Sequence, residues 1–235
     1  MQFYILVYTM GLMFLYEVTD IFEKAQLKYA LIGGYAMALQ GLVRATVDID
    51  FVLHLRLADF ELAEKLLAQI GLQSRLPLRA QDLIKMRAEY IENRNLVAWS
   101  FVDYKNPSRQ VDILITKDLR DLKVENISVS GRKIPTATLS ELLKMKTESG
   151  RPQDLVDIAN KKEAPRLPQP ISPEEAVRFL DDIRKMSHDI DEATVPISLR
   201  VPANILRTLK LKARAEGRKY QSLMIEYLRQ GLREK

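Results

Sequence analysis

Apolar residues recur near helical spacing at Val18, Ile21, Phe22 and Ala25, which predicts an amphipathic helix over residues 17–28. Tyr29-Ala30-Leu31-Ile32 follows as a short apolar strand ending on Gly33-Gly34, and residues 35–42 return to helix-forming character. From Thr46 to Leu55 the period becomes two. Val47, Ile49 and Phe51 fall on one parity, Asp48 and Asp50 on the other, which is the pattern of a strand. Residues 58–70 place Phe60, Ala63, Leu66, Leu67 and Ile70 on one helical face, with Gly71 as the stop. Two strands are expected at Leu96–Tyr104 and Gln110–Ile115, joined through a longer loop at Asn106-Pro107-Ser108. A helix is expected from Thr138 to Thr147, and Gly150-Arg151-Pro152 separates it from another at 153–161.

The pattern then breaks. Residues 163–195 open on the proline-rich Ala164-Pro165-Arg166-Leu167-Pro168-Gln169-Pro170, a stiff linker. A helix at 173–187 follows, with Pro173 in its first turn and Glu174 and Glu175 complementing its dipole. Beyond 196, Ile197, Leu199 and Val201 alternate with Ser198 and Arg200 as a short half-buried strand. Helices at about 203–216 and 220–232 complete the chain, divided by Gly217. A module of this size with one strand needs a second copy to complete its sheet and core.

Charge sharpens this division. The 235 residues carry 36 basic and 31 acidic side chains, a net charge of +5. Residues 197–235 hold ten basic and three acidic groups, so the tail is +7 and the preceding body −2. A uniformly basic coat is excluded. The 47% of hydrophobic residues excludes a disordered chain. There is no cysteine and only two histidines, His54 and His188, so thiolate and disulfide chemistry are impossible. Any metal would sit on oxygen ligands, which suits Mg²⁺ or Mn²⁺. Residues 1–16 are uncharged but short for a bilayer span of about 20 residues. They read as a buried strand or helix start, or as a start codon placed upstream of Met10 or Met13, and the cytoplasm is the expected location.

The acidic residues carry the candidate chemistry. On a strand spanning 46–55, Arg44, Thr46, Asp48 and Asp50 can face one way. Two carboxylates so placed repel each other, and a divalent cation between them turns a liability into a ligand pair. Asp112, between Val111 and Ile113, stands alone on its parity of another strand. Three acids on adjacent strands suit a two-metal phosphoryl-transfer site. Gly33-Gly34 ends a strand and opens a helix, leaving backbone N–H groups free for phosphate, with no Cβ to obstruct a ligand. Singly these motifs read as a tight turn, a solvated strand edge or a capping acid. Their order favours a common site.

That order, Gly33-Gly34, Asp48-x-Asp50 and Asp112, resembles the polymerase-β-type nucleotidyltransferases. Leu142-Leu143-Lys144-Met145-Lys146, followed by Gly150-Arg151-Pro152-Gln153-Asp154-Leu155-Val156-Asp157, resembles the signature of the AbiEii kind found in toxin–antitoxin and abortive-infection systems. The resemblance covers about residues 17–160. It implies an α/β (α+β) fold, a mixed sheet with flanking helices, over residues 1–162. It also implies metal binding and catalysis by Asp48, Asp50 and Asp112, and triphosphate binding by Gly33, Gly34, Arg44 and Lys146. Lys144 is the alternative to Lys146, and Asp154 would orient the lysine or the substrate. Gly34 departs from the serine that many members carry there.

Residues 196–235 resemble a ribbon-helix-helix (CopG-like) module of the antitoxin type. Ser198 and Arg200 would then face DNA bases from a dimeric ribbon, and the backbone near Lys219 would hold phosphate. The expectation is Mg²⁺-dependent transfer of a nucleotide from an NTP to RNA (such as a tRNA end) or protein. Its rivals are an inactive DNA-binding autorepressor and an enzyme acting on a small molecule.

Overall fold

The computed structural model describes residues 13–43, 45–149, 171–188 and 190–233. These form two units, the first running to Arg184 and the second from Lys185. In the first unit α1 (Phe14–Lys24) leads into β1 (Tyr29–Ile32), α2 (Gly33–Leu39), β2 (Ile49–Leu53), α3 (Leu57–Gln69) and β3 (Gln73–Ser74). Two short helices, α4 (Ala80–Lys85) and α5 (Arg87–Arg94), precede the hairpin β4 (Ala98–Asp103) and β5 (Asn106–Leu114). A second hairpin, β6 (Val124–Val129) and β7 (Arg132–Ala137), precedes α6 (Leu139–Ser149) and, further on, α7 (Pro173–Met186).

The strands make one mixed seven-stranded sheet in the order β3-β4-β5-β2-β1-β7-β6. Register explains its two faces. Leu31, Phe51, Ile113 and Trp99 are successive partners across β1, β2, β5 and β4, and all four are buried. Phe22 of α1 meets Phe51 edge-on at 5.3 Å, and Phe60 of α3 stacks on Trp99 at 6.2 Å, so these helices cover that face. One step along each strand gives Ile32, Asp50, Asp112 and Ser100. Side chains alternate across a sheet, so this polar row points the opposite way.

Several expected boundaries move, each for a local reason. The first helix ends early because Gln26 adopts φ +57°. The strand expected over 46–55 shortens to 49–53. Its β1 partner ends at Ile32, opposite Asp50, and its β5 pairing begins at Ile49. The longer loop expected at Asn106-Pro107-Ser108 is instead strand, and Tyr104-Lys105 makes a tight turn. Asp103 closes it, its carboxylate accepting from the N–H groups of Lys105 and Asn106 at 2.9 and 3.2 Å. Pro107 is tolerated because β2 pairs with β5 only from Val111 onward. The β6–β7 hairpin is missing from the sequence reading. It turns on Ser130 and Gly131, both at positive φ, the geometry of the primed two-residue turns.

Helix α7 begins with a capping box. Ser172 N–H donates to Glu175 at 2.8 Å, and Glu175 N–H donates back to Ser172 Oγ at 3.2 Å. The sequence groups this helix with the linker, yet Ala176, Val177 and Leu180 belong to the core of the first unit. Arg184 and Asp181, both buried, pair at 2.6 Å, and Arg184 also donates to Ser108 Oγ on β5 at 2.7 Å. The expected helix at 153–161 and the prolines at 165, 168 and 170 lie outside the described residues, as does the segment 1–12.

The second unit contains α8 (Ala203–Ala215) and α9 (Tyr220–Arg233), with Gly217 between them at φ +65°. The half-buried strand expected at 197–201 is not formed in this single chain. Ile197 is 76% exposed and Leu199 61%, and among the described residues of the unit there is no second strand to complete a ladder. No helix among the described residues is long and apolar enough to cross a membrane.

Candidate active site

The polar row opens into a cleft of about 260 Å³ bounded by the β1–α2 turn, β2, β5 and α6. Asp50 and Asp112 are direct register partners across the parallel β2–β5 pair. Asp48 enters from the segment preceding β2, where Thr46 Oγ1 donates to its Oδ1 at 2.8 Å. One oxygen from each of Asp48, Asp50 and Asp112 lies within 4.8 Å of the other two. All three side chains are half-buried. Three converging carboxylates with no thiol or imidazole among them make an all-oxygen donor set that fits Mg²⁺ or Mn²⁺.

Gly33 and Gly34 reach this cleft because β1 stops opposite Asp50. Gly33 sits at φ +66°, and a Cβ built on it would overlap the Asp50 carboxylate, with Cγ only 2.7 Å away. A Cβ on Gly34 would lie 2.6 Å from Thr46 Cγ2. Glycine is therefore imposed by the protein's own side chains, Asp50 at position 33 and Thr46 at position 34. The sequence alone points instead to the approach of a ligand as the reason. The first amides of α2 have no intrahelical acceptor.

Helix α6 forms the far wall. Leu142, Met145 and Lys146 line the cleft, and Lys146 is only 8% exposed. Lys144, two residues earlier, is exposed on another face. Of the two lysines, Lys146 is the one that lines the cleft with the carboxylates. Arg44 and Asp154 lie outside the described residues. Ser198, Arg200 and Lys219 belong to the second unit, where all three are exposed and Lys219 immediately precedes α9.

Burial pushes the Asp112 carboxyl above its ordinary range, and the charge of Asp48 adds to the rise. Hydrogen bonds from Ser100 and Gln110, and the Arg75 guanidinium, pull it back. The sequence reading missed these three neighbours. Gln110 was findable from its parity with Asp112, whereas Ser100 and Arg75 needed the cross-strand register. An acid that holds its proton more tightly when folded contributes stability at low pH, lost as pH rises through its folded pKa. Asp112→Asn removes that loss. In thermal melts with chelator present, the variant is expected to match wild type below the ordinary carboxylate pKa of about 3.9 and to exceed it at higher pH. Equal melting temperatures at neutral pH would contradict the burial penalty.

No family model matches the chain, and neither does any curated protein. Similar solved structures include the lincosamide antibiotic adenylyltransferase LnuA, lincomycin-bound, over 65% of this chain and 96% of its own, with 17% identity and a TM-score of 0.43. The antibiotic-resistance factor ANT(2'')-Ia in solution covers 91% of this chain and 95% of its own at 11% identity and a TM-score of 0.41. Its crystal structure with adenylyl-2''-tobramycin covers 74% and 96%, again at 11% identity and 0.41. At such identities the chemistry of this cleft has to be read from its own residues.

Proposed function

We propose that the first unit is a metal-dependent nucleotidyltransferase that moves a nucleoside monophosphate from an NTP to a hydroxyl of RNA, such as a tRNA end, or of protein. The observation that carries this reading is the convergence of Asp48, Asp50 and Asp112 within 4.8 Å on a cleft also lined by Gly33, Gly34 and Lys146. Bound Mg²⁺ would neutralise the triphosphate and favour charge build-up at the reacting phosphorus. The chain's own part is positional. Backbone amides at Gly33 and Gly34 hold the outer phosphates, and Lys146 adds a point charge to them from α6. Asp112 would share the cation with Asp48 and Asp50, and through it would help activate the incoming acceptor hydroxyl. The acceptor oxygen bonds to the α-phosphorus as the bond to the β-phosphate oxygen breaks, releasing pyrophosphate. The test incubates full-length protein and Mg²⁺ with each α-labelled NTP and either cellular RNA or protein. Label is expected in one macromolecular fraction, and its failure to appear with any NTP overturns the reading.

The second unit is read as a dimeric DNA-binding module, placing the chain in a toxin–antitoxin or phage-defence setting. Among its described residues only Ala213 and Leu223 are buried apolar side chains, whereas Val195, Ile197, Leu199, Leu211 and Leu228 are exposed. An apolar groove of about 570 Å³ lies between α8 and α9, lined by Ile205, Leu209, Met224 and Leu228. So thin a core favours a second copy as the missing half. Leu228→Asp is expected to leave the protein monomeric in analytical ultracentrifugation and to abolish a promoter gel shift. Arg200→Ala should keep the dimer and weaken DNA binding about tenfold, as expected for a lost base contact. A monomeric wild type would remove this reading without touching the enzymatic one.

A further inference from the structure

Gln110 stands two residues before Asp112 on β5 and so on the same side of the sheet. Its amide nitrogen donates to Oδ1 of Asp112 at 3.3 Å and to Oδ2 at 3.4 Å. Its amide oxygen accepts from Nη2 of Arg75 at 3.4 Å. Arg75 arrives there by extending the β3 edge. Its backbone N–H donates to the carbonyl of Ser100 at 2.9 Å, and Ser100 lies opposite Asp112.

A primary amide has two ends of nearly equal shape and opposite hydrogen-bonding character, and its partners decide which end faces which way. A guanidinium offers donors only. With Arg75 in place, the amide oxygen faces Arg75 and the NH₂ faces the carboxylate. The reversed amide would set an acceptor against Asp112 and a donor against Arg75, and both contacts would be repulsive. Hydrogen bonds of 3.3–3.4 Å are long, so this chain works as an orienting device and not as a rigid strut.

We propose that Arg75 and Gln110 are positioning residues for Asp112. Arg75 sets the orientation of the Gln110 amide, and the amide aims the carboxylate at the cation site it shares with Asp48 and Asp50. This rests on the nucleotidyltransferase reading of the cleft. Outer partners that orient a ligating carboxylate are worth about 10–100-fold in metal affinity or activity.

Calorimetric titration of the full-length protein with Mn²⁺ alone tests it, with no turnover required. Gln110→Ala and Arg75→Met are each expected to weaken Mn²⁺ binding about tenfold or more. The double variant should be little weaker than Gln110→Ala, because Arg75 acts mainly through the amide and its direct charge is the smallest influence on Asp112. Arg75→Lys keeps a donor and should stay within about twofold of wild type, a rescue that a packing role would not give. Melting temperatures should remain near wild type, since Arg75 is exposed and Gln110 half-buried. Unchanged affinity in Gln110→Ala, or losses that multiply in the double variant, overturns the positioning role while leaving the metal site intact. A wild type that binds no Mn²⁺ overturns the nucleotidyltransferase reading, and this inference with it.

Discussion

Asp48→Ala/Asp50→Ala is expected to lower nucleotide transfer by on the order of 10³-fold or more while leaving the protein folded. A cation on these carboxylates supplies several kcal/mol of charge stabilisation in the transition state, and each 1.36 kcal/mol is a factor of ten. Neither residue supports the core. Both are half-buried, Asp50 on the polar row and Asp48 just before β2, and the aromatic packing of Phe51 and Trp99 lies on the opposite face. Removing two mutually repelling carboxylates should, if anything, raise the melting temperature of metal-free protein, as is common where function is held at the expense of stability. The measurement pairs label transfer with a thermal melt in chelator. Transfer surviving in the double variant within tenfold of wild type would place the chemistry elsewhere.

The second large effect is expected at Gly33→Ala. Here two costs coincide. A left-handed φ of +66° costs a residue with a side chain about 1–2 kcal/mol, and the new methyl occupies the space of the Asp50 carboxylate. Asp50 can escape only by swinging out of the cation site, and displacing a reacting group by about 1 Å can cost about 10²-fold in rate. Gly41→Ala is the control. Gly41 has a similar φ of +85° with nothing within 4 Å of a built Cβ, so it carries the backbone cost and spares the cleft. Gly33→Ala should therefore lose both melting temperature and activity, and Gly41→Ala melting temperature alone. Matching activities for the two variants would falsify the close approach as the reason for glycine at 33.

The polar row is partly legible in the sequence. Asp48, Asp50 and Asp112 announced themselves because each interrupts an alternating or apolar run, and side-chain alternation is a local property of a strand. The helix at 57–69, α8 and α9 were legible for the matching reason, since helical periodicity and a terminal glycine are written within a dozen residues. The β6–β7 hairpin was not. Its strand β6 lies at the sheet edge with exposed residues, and its apolar pattern is weak. Arg75 also escaped, because it meets Gln110 only after β3, β4 and β5 are laid side by side.

The sequence by itself determined the menu: a mixed α/β body carrying three acids, a Gly-Gly step and a lysine on a later helix, and a separate basic tail of two amphipathic helices. These follow from periodicity, charge and turn chemistry, each acting over a few residues. Only the tertiary structure decided that Asp50 and Asp112 are register partners, that Asp48 approaches from outside the strand, and that Lys146 closes the cleft where Lys144 turns away. The same holds for the two glycines, whose necessity comes from Asp50 and Thr46 across the β1–β2 pair. Register between strands distant in sequence is set by the whole buried core, here the row from Leu31 to Trp99. No window along the chain contains that information.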